Sequence, residues 1–134
     1  MKHALEYYQS MALRTASQSH SAKGAIMVAA SKHATLTPSD SVRESPAYYL
    51  SGLALGLAGE AGEVADYIKK VVAHGHPLDS EKLAQELGDV LWYLVVTADA
   101  LGFSLDEIAS QNITKLRKRY PQGFDHQASI ERKD

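Results

Sequence analysis

The sequence predicts an all-α fold: a four-helix arrangement built on an antiparallel hairpin of its second and third helices. Two observations carry that prediction. Four segments repeat apolar residues at spacings of three and four, the period of one helix face. No segment alternates apolar and polar residues with period two for long enough to demand a strand. The 134 residues are read as a single domain over 1–134. Hydrophobic residues at 45% and charged residues at 22% sit near globular averages, which excludes disordered and collagen-like classes.

The first helix spans about residues 3–16, with Leu5, Tyr8, Met11, Ala12 and Thr15 on one face. Residues 17–45 differ in character: they are rich in Ser, Thr and His, Pro38 and then Pro46 act as breakers, and only Ala25 to Ala30 reads as apolar. A connecting segment of that length is unusual inside a compact domain and reads either as a lid over a site or as a partly helical excursion. The second helix runs from Pro46 to about Ala73, with Leu50, Leu53, Leu57, Val64, Ile68 and Val71 as its apolar stripe. It also carries Gly52, Gly56, Gly59 and Gly62. Each glycine costs roughly 0.5–1 kcal/mol relative to alanine in a helix, so packing must hold this helix and something must need close approach there.

The run His74-Gly75-His76-Pro77 closes the second helix, and Asp79 or Ser80 caps the third. The third helix is expected to bury Leu83, Leu87, Val90, Leu91, Leu94, Val95, Ala98 and Leu101 and to end at Gly102. Ser104 with Glu107 three residues later is a capping box for the fourth helix. That helix reaches about Arg119, because Tyr120 precedes Pro121 and is pushed out of the helical region. Residues from about 125 to 134 read as a tail.

Fourteen basic against sixteen acidic side chains leave a formal net charge of −2, which offers no bulk attraction to a nucleic acid. The absence of cysteine excludes disulfides, thiolate nucleophiles, Cys-ligated zinc and iron–sulfur clusters. The longest strongly apolar stretches, Leu53 to Ala58 and Val90 to Val96, fall short of the ~20 residues a membrane span requires. Lys2, His3 and Glu6 stand where a secretory signal would need an apolar run. The expectation is a soluble cytoplasmic domain with neither a nucleic acid nor a membrane as partner. Neither a P-loop nor a Gly-x-Gly-x-x-Gly fingerprint occurs, so a motor ATPase or a Rossmann dehydrogenase is not supported.

The chemistry-bearing residues are acidic. Glu60 with Glu63, and Glu86 with Asp89, are three apart and therefore neighbours on their helices. One antiparallel register pairs residue 60 with 89 and 63 with 86, with its midpoint between His74 and Gly75, at the predicted turn. Such carboxylates either raise one another's pKa or bind cations, and oxygen ligands without cysteine or histidine select Mg²⁺ or Mn²⁺ over zinc. A di-iron bundle would need Glu-x-x-His, which does not occur. The competing explanation is that these pairs are ordinary solvated helix faces.

On the fourth helix Asn112, Lys115 and Arg119 recur at spacings of three and four, with Lys118 close by, and present an amide and two cations suited to phosphate oxygens. The same cations near a helix C-terminus favour the macrodipole without any ligand. His74 and His76 flank the turn and read as solvent-exposed rather than ligating. Trp92 reads first as a packing residue and only second as a stacking surface for a base.

Taken together these residues resemble the MazG-type nucleoside triphosphate pyrophosphohydrolases of the all-α NTP pyrophosphatase superfamily. The matching stretches run from Leu55 to Asp66, from Glu86 to Tyr93 and from Asn112 to Pro121, with Tyr8-Gln9 and Arg14-Thr15-Ala16 in the first helix. The resemblance implies Mg²⁺-dependent hydrolysis of NTPs or dNTPs to the monophosphate and pyrophosphate, as nucleotide-pool housecleaning, by a homodimer or homotetramer. By position it implies Glu60, Glu63, Glu86 and Asp89 as catalytic metal ligands, and Asn112, Lys115 and Arg119 as contacts to the substrate phosphates. Two departures accompany it. Many members carry a further glutamate directly before the first motif carboxylate, where this chain has Gly59, and residues 17–45 fit the pattern poorly. Both motivate the alternative of a non-catalytic helical interaction or oligomerisation module that keeps the fold.

Overall fold

The structure, a computed structural model, describes residues 2–16 and 46–131. The expectations for residues 17–45 and for the last three residues of the tail lie outside the described residues. Within them the chain forms α1 (Lys2–Leu13), α2 (Pro46–His74), α3 (Ser80–Ala100), α4 (Leu105–Arg119) and a short α5 (His126–Ile130), with no strand. The all-α prediction holds. Helices α2 and α3 pack along each other as the antiparallel hairpin, and α1 packs on both α3 and α4. Between α3 and α4 the chain bends by 99°. Among the described residues no single helix is long and apolar enough to cross a membrane.

The helix ends follow from local chemistry. Helix α1 stops at Leu13, sooner than its periodicity predicts, because the N–H groups of Arg14 and Thr15 turn back onto the carbonyls of Met11 and Ala12 at 3.2 and 3.0 Å. The hydroxyl of Thr15 also donates to the carbonyl of Ala12 at 2.7 Å. After α2, Gly75 takes a φ of +71°, the left-handed region where only glycine is free of strain. Asp79 caps α3, its carboxylate accepting the N–H groups of Glu81 and Lys82 at 3.1 and 3.0 Å. The Ser104 hydroxyl accepts the N–H of Glu107, whose carboxylate accepts the Ser104 N–H at 2.7 Å, completing the predicted box. Those Ser104 donors hold the Glu107 carboxyl below its ordinary pKa. Gln9 then fixes the α3–α4 corner: its side-chain oxygen accepts the N–H of Leu105 at 2.9 Å and its amide donates to the carbonyl of Phe103 at 3.3 Å. Residues 126–130, expected to belong to a tail, form the turn and a half of α5.

The buried apolar residues fall into two clusters, one of Ala12, Val95, Ala98 and Leu105 and one of Leu53, Val96 and Ala100. Trp92 and Leu13 pack against both and join them. The indole N–H of Trp92 donates to the Thr15 hydroxyl at 2.8 Å, and its ring meets Tyr93 edge-on at 4.9 Å, so Trp92 is a packing residue. Two expectations about burial are corrected. Leu87 and Leu91 are 53% and 38% exposed, and Leu101 also faces solvent, while Val96 and Ala100 are buried in their place. Ile68 of the α2 stripe is likewise exposed. For Leu87 and Leu91 the reason is length: α1 spans about 18 Å and α3 roughly 32 Å, so α1 covers only one half of α3.

Among the glycines within α2 and α3, close approach falls at Gly56. A Cβ at Gly56 would stand 2.0 Å from Cε1 of Tyr93, whereas one at Gly52, Gly59, Gly62 or Gly88 would meet nothing within 4 Å. Replacing Gly56 by Ala should therefore destabilise the protein by about 1–3 kcal/mol through overpacking. Gly59→Ala should instead stabilise it by about 0.5–1 kcal/mol through helix propensity alone. Urea denaturation of the two variants checks both signs.

Candidate carboxylate site and its cleft

The site is a continuation of the hairpin register. Leu53 shares a cluster with Val96, and one turn further Gly56 lies under Tyr93. The next two turns bring Glu60 and Glu63 of α2 to Glu86 of α3, with carboxylate oxygens all within 4.8 Å of one another. Glu60 and Glu86 are half-buried and Glu63 is exposed. Asp89, exposed on the rim, belongs to the same group electrostatically. The Glu60 carboxyl is held above its ordinary pKa first by partial burial, and then by the charges of Asp89, Glu63 and Glu86 in that order. The four carboxylates singled out in the sequence thus form one neighbourhood.

An open cleft of about 380 Å³ extends from this cluster toward the hairpin turn, lined by Gly59, Gly62, Glu63, Asp66, Tyr67, Lys70, Lys82 and Glu86. Of these, Asp66, Tyr67, Lys70 and Lys82 were missed by sequence reasoning. The available signal was spacing, since residues 66, 67 and 70 continue the helix face of Glu63 and Lys82 stands one turn before Glu86. Asp66 accepts from Lys69 and from Lys70, the latter at 2.7 Å, and these contacts draw its carboxyl down to about 2. The same bond to Asp66 raises the Lys70 pKa. The Tyr67 hydroxyl accepts the N–H of Asp79 at 2.9 Å and donates to its carbonyl at 3.3 Å, and the Lys82 ammonium lies 5.5 Å from the Tyr67 ring centre.

The basic stripe stands elsewhere. Asn112 and Lys115 are exposed, Arg119 is half-buried, and none of the three lines the cleft. Their helix leaves α3 at the end away from the carboxylates and packs chiefly on α1. His74 and His76 are exposed, with ring centres 6.4 Å apart, and the cation-competent group among the described residues is made of glutamates without either.

The sequence pattern of the MazG nucleotide pyrophosphohydrolase domain matches residues 50–124. The chain belongs to the MazG family. That match begins early in α2 and ends just beyond α4, so it contains all four carboxylates and the basic stripe. Among curated proteins, the Gene 37 protein of Mycobacterium phage L5 is 36% identical over 78 residues, covering 55% of this chain and 68% of its own length. No solved structure matches.

The MazG cluster's electrostatics predict a pH signature in the metal-free protein. Glu60 has a folded pKa above its unfolded one, so its ionisation costs stability as pH rises through those values. Glu60→Gln should be more stable than wild type at neutral pH, and the difference should vanish below about pH 4, where the unfolded carboxyl is protonated too. Asp66 has the opposite sign: its stabilisation is present above about pH 4 and is lost as pH falls toward its folded value of about 2. Chemical denaturation curves across pH 2–8 for wild type, Glu60→Gln and Asp66→Asn check both.

Proposed function

We propose that this MazG domain hydrolyses nucleoside triphosphates, NTP or dNTP, to the nucleoside monophosphate and pyrophosphate, using Mg²⁺ with Mn²⁺ as a substitute. The observation that supports the reading is the convergence of three glutamate carboxylates within 4.8 Å inside the stretch that carries the family match. The donor set fits such an ion: it is all oxygen, it is crowded enough to raise a proton affinity, and it has open space beside Gly59 and Gly62. Glu60, Glu63, Glu86 and Asp89 would hold the ion. When bound, it supplies charge neutralisation between carboxylates and phosphates and Lewis acidity toward the phosphoryl oxygens.

The residues' own part is to bind, orient and move a proton. One of the four carboxylates accepts the proton of the water that attacks the α-phosphorus, as the bond to the bridging oxygen breaks and pyrophosphate departs. Asn112, Lys115 and Arg119 lie outside the cleft of their own chain, so we assign them to substrate phosphates across a homodimer or homotetramer. The apolar side chains that one chain leaves uncovered, Leu55, Leu87 and Leu91 among them, support such an assembly. A housecleaning role in a cytoplasmic nucleotide pool completes the reading. The alternative, a non-catalytic interaction module, is motivated by Gly59 standing where many relatives have a glutamate.

Incubation with each NTP and dNTP plus Mg²⁺ should release pyrophosphate and the monophosphate. Orthophosphate in place of pyrophosphate would overturn the assignment, and no turnover together with no melting shift from Mg²⁺ and a non-hydrolysable nucleotide would favour the module. Glu63→Ala and Asp89→Ala should each lose turnover by on the order of 100-fold or more while leaving the metal-free protein at least as stable. Lys115→Ala should raise KM and leave Mg²⁺ affinity without nucleotide unchanged. Sedimentation at micromolar concentration should show a dimer or tetramer, and a monomer refutes the assembly.

A further inference from the structure

We propose that the groove between α1 and α4 seats the α4 helix of a second copy of this chain, the two helices running antiparallel about a twofold axis that passes between Gln111 and Asn112. The groove, about 570 Å³, opens on the side of α4 away from Asn112, Lys115 and Arg119, and its α1 wall is Ala4 and Leu5. Its α4 wall is Asp106, Ala109, Ser110, Ile113, Thr114 and Arg117, one helix face at spacings of three and four. Little of this chain supports that wall. Every residue of α4 from Ala109 to Lys118 is exposed, and Ile113 stands 48% exposed in the groove. An isolated helix shorter than about 12 residues is marginal in water, so this stretch gains from a partner.

The exposed face is complementary to itself. In an antiparallel pair centred between residues 111 and 112, Asp106 meets the partner's Arg117, Ala109 meets the partner's Thr114 and Ser110 meets the partner's Ile113. The twofold then repeats each contact. Acid faces base at both ends, and small residues in the middle let the helix axes approach. These charges do not serve each other within one chain: they stand three turns apart, about 16 Å along the axis, and neither makes an ion pair among the described residues. A parallel pair would set acid beside acid and base beside base, so the charges select the antiparallel sense. No residue of this groove lines the carboxylate cleft or belongs to the basic stripe, so the contact stands or falls apart from the hydrolase reading.

Sedimentation of the full-length protein at micromolar concentration tests the contact through two charge reversals. Arg117→Asp sets acid against acid at both ends of the pair, and Asp106→Arg sets base against base. Each should weaken association about tenfold or more and halve the assembled mass. Mixing the two variants restores both pairs, because the new base of one chain faces the new acid of the other and the two unaltered charges face each other. An equimolar mixture should therefore regain the wild-type mass. The macrodipole favours an acid early and a base late in α4, so each reversal also weakens its own helix, but mixing repairs no helix. Far-ultraviolet circular dichroism of each variant checks that the helices remain. A wild type that sediments as a monomer, reversals that leave the mass unchanged, or a mixture that stays at the halved mass overturns the contact. Loss in each variant alone with recovery in the mixture supports it.

Discussion

Tyr93 lies so close over Gly56 that a single methyl group there would stand 2.0 Å from its ring, and this contact sets the register of α2 against α3. Everything chemical in the molecule is downstream of that register. Leu53 meets Val96 on one side of the contact, and Glu60 and Glu63 meet Glu86 and Asp89 on the other. A slip of one residue would rotate α2 by about 100° relative to its partner, drive a side chain into the tyrosine ring and disperse the carboxylates. The turn end is pinned independently, by Asp79 capping α3 and by the Tyr67 hydroxyl clasping the Asp79 backbone.

Stability and chemistry occupy opposite ends of this hairpin. The fully buried residues of α2 and α3 lie where α1 and the α3–α4 corner cover them, and none of residues 54–94 is buried. Like charges at close range resist burial, because each carboxylate raises the cost of ionising the next. Glu60 shows both costs, its proton affinity raised first by partial burial and then by the neighbouring charges. A site built this way is held in place by packing it does not share, so its charges are not needed for folding.

Much of this was legible from residue order alone. Asp79, the Ser104–Glu107 box and the Tyr120–Pro121 stop marked helix ends because caps and breakers act within a few residues of themselves. The carboxylate pairing was legible because both helices are long and the turn between them is short. Burial was read less well. Leu87 and Leu91 repeat at a core spacing yet lie beyond the reach of α1, and helix periodicity says which residues share a face but not whether anything covers it.

The sequence by itself determined the all-α class, the hairpin, its caps and the residues that meet across it, since each depends on neighbours one or two helical turns away. Only the tertiary structure decided three other matters. It selected Gly56 from four helical glycines as the one pressed by a partner. It separated the basic stripe of α4 from the carboxylates, through a 99° bend whose angle is set by how Gln9 and the apolar face of α1 seat the corner. It also placed Lys70 and Lys82 in the acidic cleft, because a helix pair shares the walls of one groove only after it has docked, and no local spacing encodes that juxtaposition.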